Sequence, residues 1–294
     1  MESALSRLPR SSKVAVVCLR ALGECVLATP AITILKRYRP DLRVAVVAER
    51  AFHAVFQGNP DVCAVLPPHL PPLWSWRPRL CLDLHGEWRS VWLTELSGAE
   101  ITAGFQDAKA AWAYSIPLTG SGEHLAVRFA SAVFQLGVPP VEIPPAVIPL
   151  GDPSARRVRI VIYPSADSRE RTWPAESFLD VARSLATAGF DVVFAAGRRE
   201  DLRAFGGFPA VVAESTAQWA ALLREAALFI GNHTGVTQVA AALQVPQVVL
   251  CPASGPGRQA PWKSPAEVLT ATEGMASIDP AQVLAAAQRL GVKP

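Results

Sequence analysis

A chain of 294 residues, half of them apolar and 18% charged, suits one large or two ordinary globular domains with well-filled cores. Its 28 basic and 25 acidic side chains leave a formal charge of +3. That is too little to point to nucleic acid, though a mildly basic surface suits phosphorylated substrates or an anionic membrane face. Met1–Ser12 lacks the shape of a signal peptide, and no apolar run reaches the roughly 18–20 residues that cross a bilayer. The expectation is a cytoplasmic protein whose contact with the inner face of a membrane, if any, is peripheral.

Lys13–Leu19 (KVAVVCL) is an apolar run of strand length. A turn, an apolar helix (VLATPAITILKRY) and a second strand, Arg43–Glu49, follow. Such near-continuous apolar strands suit a parallel sheet covered on both faces. VCAVLP and Arg79–Leu84 read as further strands, RSVWLTELSG and HLAVRFASAVFQLG as helices. Pro67–Pro78 (PPHLPPLWSWRP) is too rich in proline for a regular element. It reads as a packed loop, in preference to a membrane-touching one using Trp74, Trp76 and Arg77.

Six prolines between Val138 and Arg157 make that stretch the expected linker. After it the alternation restarts with VRIVIYPS, a helix from about Pro174 to Ala188, FDVVFAAG, AVVAES, TAQWAALLREA, LFIGN and PQVVLCP. A final helix has Asp279 as N-cap and Pro280 at N1. The expected architecture is α/β: two Rossmann-like halves, 1–150 and 151–294, facing each other across a cleft, with ligands outside the carboxyl ends of the strands.

Three segments carry chemistry. In LRALGECVLATPAI, Gly23 permits a tight turn and Glu24 follows at the mouth of the sheet, near a helix N-terminus. It is either a general base or a plain helix-start acid. In YPSADSRERTWPAESF, Ser165, Ser168 and nearby N–H groups suit a diphosphate that Arg169 and Arg171 neutralise, unless these arginines line a solvated loop. Trp173 reads as a packing residue. In GNHTGVTQVAAALQVPQVVL, Thr234 and Gly235 open a helix whose free N–H groups suit a phosphate, or make a plain strand–helix connection. No dinucleotide or P-loop fingerprint and no G-x-S-x-G is present. Asp83 and His85 are conceivable metal ligands, but no second cluster has ligand spacing, so no metal is expected. His53, His69 and His124 stand alone as surface or packing residues. The five cysteines, Cys18, Cys25, Cys63, Cys81 and Cys251, form no C-x-x-C pair and read as buried, reduced thiols.

Taken in order, these segments resemble glycosyltransferase family 9, the heptosyltransferase-like enzymes with the GT-B fold. LGECVLATPAITILK is similar to the family's L-G-D-x-x-x-x-T-P-x-[IL]-x-x-L-K, with Thr29, Pro30, Leu35 and Lys36 in place. LDLHGEWRS resembles D-L-[HQ]-G-x-x-[RK]-S, the loop before Phe178 resembles H-P-G-x…K-x-W-P, and the stretch from Gly231 resembles G-x-D-[ST]-G-x-x-H-[LI]-A-A-A. The resemblance implies inverting transfer from a nucleotide sugar, typically ADP-heptose, to a glycan or lipopolysaccharide-core acceptor, with neither metal nor cofactor. It makes 1–150 the acceptor-binding and 151–294 the donor-binding half.

Under the same resemblance Glu24 takes the place of the catalytic aspartate. Ser165, Asp167, Ser168, Arg171, His233, Thr234, Gly235 and Gln238 form the donor site. Arg171 stands for the family's lysine, His233 for its aspartate and Gln238 for its histidine. Arg20, Arg89 and Arg128 are candidates for anionic acceptor groups. The substitutions at 24, 233 and 238 keep two alternatives open: a non-catalytic relative that binds a nucleotide sugar or partner protein, and a different sugar-nucleotide enzyme such as an epimerase.

Overall fold

The uninterrupted apolar runs lie at the centres of two parallel sheets, where both strand faces are covered. The computed structural model describes residues 3–149, 159–198 and 200–292, and the chain divides into two compact units, Met1–Pro149 and Leu150–Pro294. Unit 1 runs β1 (Lys13–Val17), α1 (Leu22–Tyr38), β2 (Arg43–Val47), α2 (His53–Phe56), β3 (Ala64–Leu66), α3 (Leu70–Trp76), β4 (Leu80–Asp83), α4 (Trp88–Glu95), β5 (Ile101–Phe105), β6 (Ile116–Leu118) and α5 (Leu125–Gln135). Unit 2 runs β7 (Arg159–Tyr163), α6 (Ala175–Thr187), β8 (Asp191–Ala196), β9 (Ala210–Val212), α7 (Thr216–Arg224), β10 (Ala226–Asn232), α8 (Gly235–Ala242), β11 (Gln247–Cys251), β12 (Ala266–Thr270) and α9 (Pro280–Arg289).

The sheet orders are β3-β2-β1-β4-β5-β6 and β12-β11-β10-β7-β8-β9. Each is the doubly wound order, which reverses between its first and fourth strands and opens a crevice at their carboxyl ends. The crevice lies at β1/β4 in unit 1 and at β7/β10 in unit 2. In unit 2 Gly231 keeps the two strands close: a Cβ there would stand 2.9 Å from the Tyr163 carbonyl oxygen.

The Thr29–Pro30 pair is structural. A proline inside α1 leaves the carbonyl four residues back, that of Val26, without its helical donor. The Thr29 hydroxyl supplies one instead, donating to Val26 O at 2.8 Å, and accepts from Val147 N at 3.0 Å. That second bond ties the proline-rich segment to unit 1. Its described part, 138–149, buries Ala146 and Ile148 and so packs as part of the unit. The remainder of the expected linker, 150–157, lies outside the described residues. Lys36 closes the end of α1, donating to the carbonyls of Pro40 and Leu42.

Four expectations are corrected. Residues 70–76 of the proline-rich loop are the helix α3, because Pro71 and Pro72 fall in its first turn, where no N–H partner is needed. The tight turn before Glu24 is made by Ala21, at φ 60 and ψ 116, while Gly23 lies within the helix. Three of the parallel strands, β5, β6 and β12, were not expected; Pro117 is tolerated in β6 because that strand is an edge. Cys63 is exposed, whereas the other four cysteines are buried.

Candidate functional site

At the β1/β4 crevice, the chain leaves β1 through Cys18–Arg20, turns at Ala21 and enters α1, which puts Glu24 in the helix's first turn. The chain leaves β4 at Asp83. The buried carboxylate of Asp83 organises the loop: Oδ1 accepts from the amides of His85 (2.7 Å) and Gly86 (3.0 Å), and Oδ2 from the Tyr114 hydroxyl (2.7 Å). Gly104 makes room for that ring, because any Cβ there would collide with it. Burial raises the Asp83 pKa, and these donors oppose the shift. With both oxygens engaged, Asp83 is a scaffold residue, and no group of three or more potential metal ligands occurs among the described residues.

This scaffold presents His85, whose Nδ1 stands 3.5 Å from Oε2 of Glu24. The His85 side chain is 5% exposed and that of Glu24 21%. Glu24 thus has one oxygen facing an imidazole nitrogen at ion-pair range, with no hydrogen bond between them, and retains access to solvent. Around it, Arg20 lies 3.8 Å from Glu87 and stays largely open. Arg89 is held by Glu49 and donates to Pro68 O at 3.0 Å. Arg128 is enclosed, gripped by Asp107, with its guanidinium 3.9 Å from the centre of the Phe105 ring. Of the three, Arg20 has the most accessible guanidinium.

At the β7/β10 crevice, Asn232 fixes the loop after β7. Its fully buried amide donates to the carbonyls of Pro164 (3.0 Å) and Ser165 (3.3 Å) and accepts from Trp173 N (3.0 Å). Trp173 is buried and donates its indole N–H to Ile278 O at 2.9 Å, as a packing residue does. The loop then turns through Ser168, whose carbonyl accepts from Arg171 N (3.2 Å) and from the Thr172 hydroxyl (2.8 Å). The hydroxyls of Ser165 and Ser168 have no partner among the described residues, and Asp167 is exposed.

Arg171 reaches His233, with Nη2 3.4 Å from Nδ1. The other ring nitrogen, Nε2, lies 2.7 Å from Gln259 O, so it carries the proton and Nδ1 is the acceptor. Burial lowers the His233 pKa, the Gln259 carbonyl opposes this, and the charge of Arg171 lowers it further. His233 is therefore a neutral imidazole that accepts from a permanent cation. Gln238 donates to Gln259 O at 2.6 Å and Ala260 O at 3.3 Å, while its Oε1 is buried without a partner.

Thr234 caps α8, its hydroxyl accepting from Val236 N at 3.3 Å. The amides of Thr234 and Gly235 have no acceptor among the described residues and remain as donors at a helix start. Cys251, at the end of β11, is held as a thiol with its pKa pushed up by burial to about 12. Sequence reasoning missed Asn232, and it missed the contact of His85 with Glu24, having read His85 only as a conceivable metal ligand. Their only signals were positions at the ends of a strand and of a strand-loop.

Two doubly wound sheets, one presenting a carboxylate and the other free amides beside an arginine at its switch point, define an α/β enzyme of the GT-B class. The chain belongs to glycosyltransferase family 9 (heptosyltransferase), whose model matches residues 79–283. It is a glycosyltransferase. No curated protein is matched by sequence. Among solved structures it is similar to a family 9 glycosyl transferase from Veillonella parvula, at 20% identity and TM-score 0.85 over 96% of this chain and 97% of that one. E. coli heptosyltransferase WaaC with ADP gives 18% and 0.83, over 95% and 99%. E. coli ADP-heptose lps heptosyltransferase II gives 17% and 0.82, over 95% and 98%. At these identities the likeness establishes the shared fold.

Proposed function

We propose that the protein is an inverting, metal-independent transferase that moves a heptose-like sugar from a nucleoside diphosphate, ADP in the first instance, to a hydroxyl of a glycan or lipopolysaccharide-core acceptor. It works without a cofactor, in the cytoplasm, at the inner face of the membrane. The observation that carries this reading is Glu24 at the β1/β4 switch point of a family 9 chain, with one oxygen against His85 and solvent access retained.

In the transfer, Glu24 takes the proton of the acceptor hydroxyl as its oxygen bonds to the anomeric carbon. The bond from that carbon to the diphosphate oxygen breaks, and its electron pair leaves with the nucleoside diphosphate. Charge grows on the leaving group as this happens. Arg171 and the amides of Thr234 and Gly235 meet that charge with donors already in place, as do the hydroxyls of Ser165 and Ser168. Unit 1 then binds the acceptor, with Arg20 for its anionic groups, and unit 2 the donor. WaaC, similar in fold, was solved with ADP, which supports the choice of base.

The test is turnover of a panel of ADP-, UDP-, GDP- and CMP-sugars with core-oligosaccharide acceptors by wild type and Glu24→Ala. Transfer from the ADP-sugar, lost in Glu24→Ala with donor binding intact, is the expected result. Equal turnover by both proteins removes Glu24 from the chemistry.

A further inference from the structure

Helix α4 carries apolar side chains on both its faces, unlike an ordinary surface helix. It turns Ser90, Val91, Leu93 and Thr94 inward and Trp88, Trp92 and Leu96 outward, one turn apart and 53%, 42% and 52% exposed. Trp112, on the short turn Ala111–Ala113, is 78% exposed and meets Trp92 edge-on, ring centres 6.2 Å apart. Trp74 on α3, 52% exposed, donates its indole N–H to Leu96 O at 2.7 Å and extends the stripe. Beneath, the buried cluster of Val91, Ala110 and Tyr114 locks α4 to the Trp112 turn, so the rings project from a common base. At roughly 250 Å² for a tryptophan, the four indoles expose on the order of 500 Å². A patch of that size matches the largest apolar patch of a typical monomer, which is often functional.

The rim says what the patch meets. The carboxylates of Glu49, Glu87, Glu100 and Asp107 are each paired with an arginine. Arg77 and Lys109 have no carboxylate partner among the described residues. Arg77 also lines a groove of about 370 Å³ at the Trp74 end, with Arg79, Ser97 and Glu100. The patch is smaller than the roughly 800 Å² per partner that a stable dimer buries. Indole rings bordered by free cations match the boundary between acyl chains and anionic headgroups.

We propose that the face formed by Trp74, Trp88, Trp92, Leu96 and Trp112 docks unit 1 onto an anionic phospholipid bilayer. The indoles enter the headgroup region, and Arg77 and Lys109 meet lipid phosphates. This gives a surface to the peripheral localisation proposed above, and it stands whether or not the protein transfers a heptose.

The test is co-sedimentation of the full chain with vesicles of phosphatidylcholine and phosphatidylglycerol in equal parts, against phosphatidylcholine alone, read with tryptophan emission. Binding to the mixed vesicles with a blue shift is expected. Arg77→Glu should weaken it about fivefold or more. Trp92→Ala/Trp112→Ala should weaken it on the order of tenfold with an unchanged melting profile, because both rings are solvent-facing. No binding to mixed vesicles, or equal binding by the tryptophan variant, overturns the proposal. So does a concentration-dependent dimer in sedimentation velocity that this variant abolishes, which assigns the face to a second copy. Transfer to a soluble acceptor, measured alongside, reports on the catalytic reading separately.

Discussion

Oε2 of Glu24 and Nδ1 of His85 stand 3.5 Å apart at the switch point of the first sheet. Under the proposed mechanism, this contact is where the longer glutamate side chain would be accommodated in place of the family pattern's aspartate. The extra methylene lets the carboxylate reach back to an imidazole that the Asp83 loop holds in place. If Glu24 is the base proposed above, His85 is its candidate positioning residue, a role that the following variants test.

Replacement of Glu24 by Gln should therefore lower kcat by about 10²–10⁴-fold with the donor KM nearly unchanged. His85→Ala should lower kcat on the order of tenfold by letting the carboxylate swing, since a displacement of about 1 Å can cost up to 10². His85→Gln, whose amide can still donate toward Glu24, should recover most of the rate. Steady-state kinetics on the three variants, with folding checked by melting, decides the matter. A His85→Gln variant as poor as His85→Ala would exclude the positioning role.

Arg171 and His233 make a second coupled substitution. Where the family pattern has a lysine and an aspartate, this chain sets a guanidinium against a neutral imidazole acceptor. Arg171 has no carboxylate ion-pair partner among the described residues, although the charge of Asp167 is felt at His233. His233→Asp should convert the contact to an ion pair and raise the Kd for ADP about tenfold, because an anion now competes with the diphosphate. Arg171→Lys should raise it by a similar factor, since an ammonium lacks the fork that can serve His233 and a phosphate together. Calorimetry with ADP reads both. Tighter ADP binding by His233→Asp would contradict this account of the charge.

Much of the fold is legible in the sequence because β1, β2, β7, β8 and β11 are buried on both faces and read as unbroken apolar runs. The edges are not. β6 carries Pro117 and β12 is partly exposed along its length, so neither leaves a hydrophobic period. At the site, Thr234, Gly235 and Arg171 are visible from helix-start and loop chemistry. The partners that give them meaning, His85 for Glu24 and Asn232 for the Ser165 loop, are contacts between distant strand ends. No local spacing encodes such contacts. The proline-rich helix α3 escapes notice because a cluster of prolines disfavours a helix outside its first turn, and only the structure shows that this first turn begins at Leu70.

The lowered pKa of His233 has a consequence for stability. Between its folded pKa and the ordinary value of 6.5, the unfolded chain binds a proton that the folded chain does not. Stability therefore rises with pH through that window and falls as the pH drops below about 6.5. His233→Asn, which does not titrate, should flatten this part of the profile and be relatively less sensitive to acid. Melting temperatures taken across pH 7 to 5 for both proteins provide the comparison. A wild-type profile rising toward acid in this range would mean that the imidazole gains a proton on folding.

Ala21 is the non-glycine residue that turns the chain into α1, at φ 60 and ψ 116, and it offers no side-chain cap. An L-residue with a Cβ is disfavoured there, and such strain costs on the order of 1–3 kcal/mol. Its carbonyl nonetheless begins the helix, accepting from Cys25 N at 3.1 Å, and its neighbours on the two sides are Arg20 and Leu22, one turn before Glu24's reach to His85. Ala21→Gly removes the strain but adds freedom to the unfolded chain, worth about 0.5–1 kcal/mol in the other direction. The net expectation is stabilisation of up to about 2.5 kcal/mol, centred near 1, seen as a higher urea midpoint at unchanged slope. Activity should move oppositely, with kcat down several-fold, because a glycine lets the Arg20–Glu24 turn sample other conformations. A destabilised Ala21→Gly protein would show that the turn carries no strain.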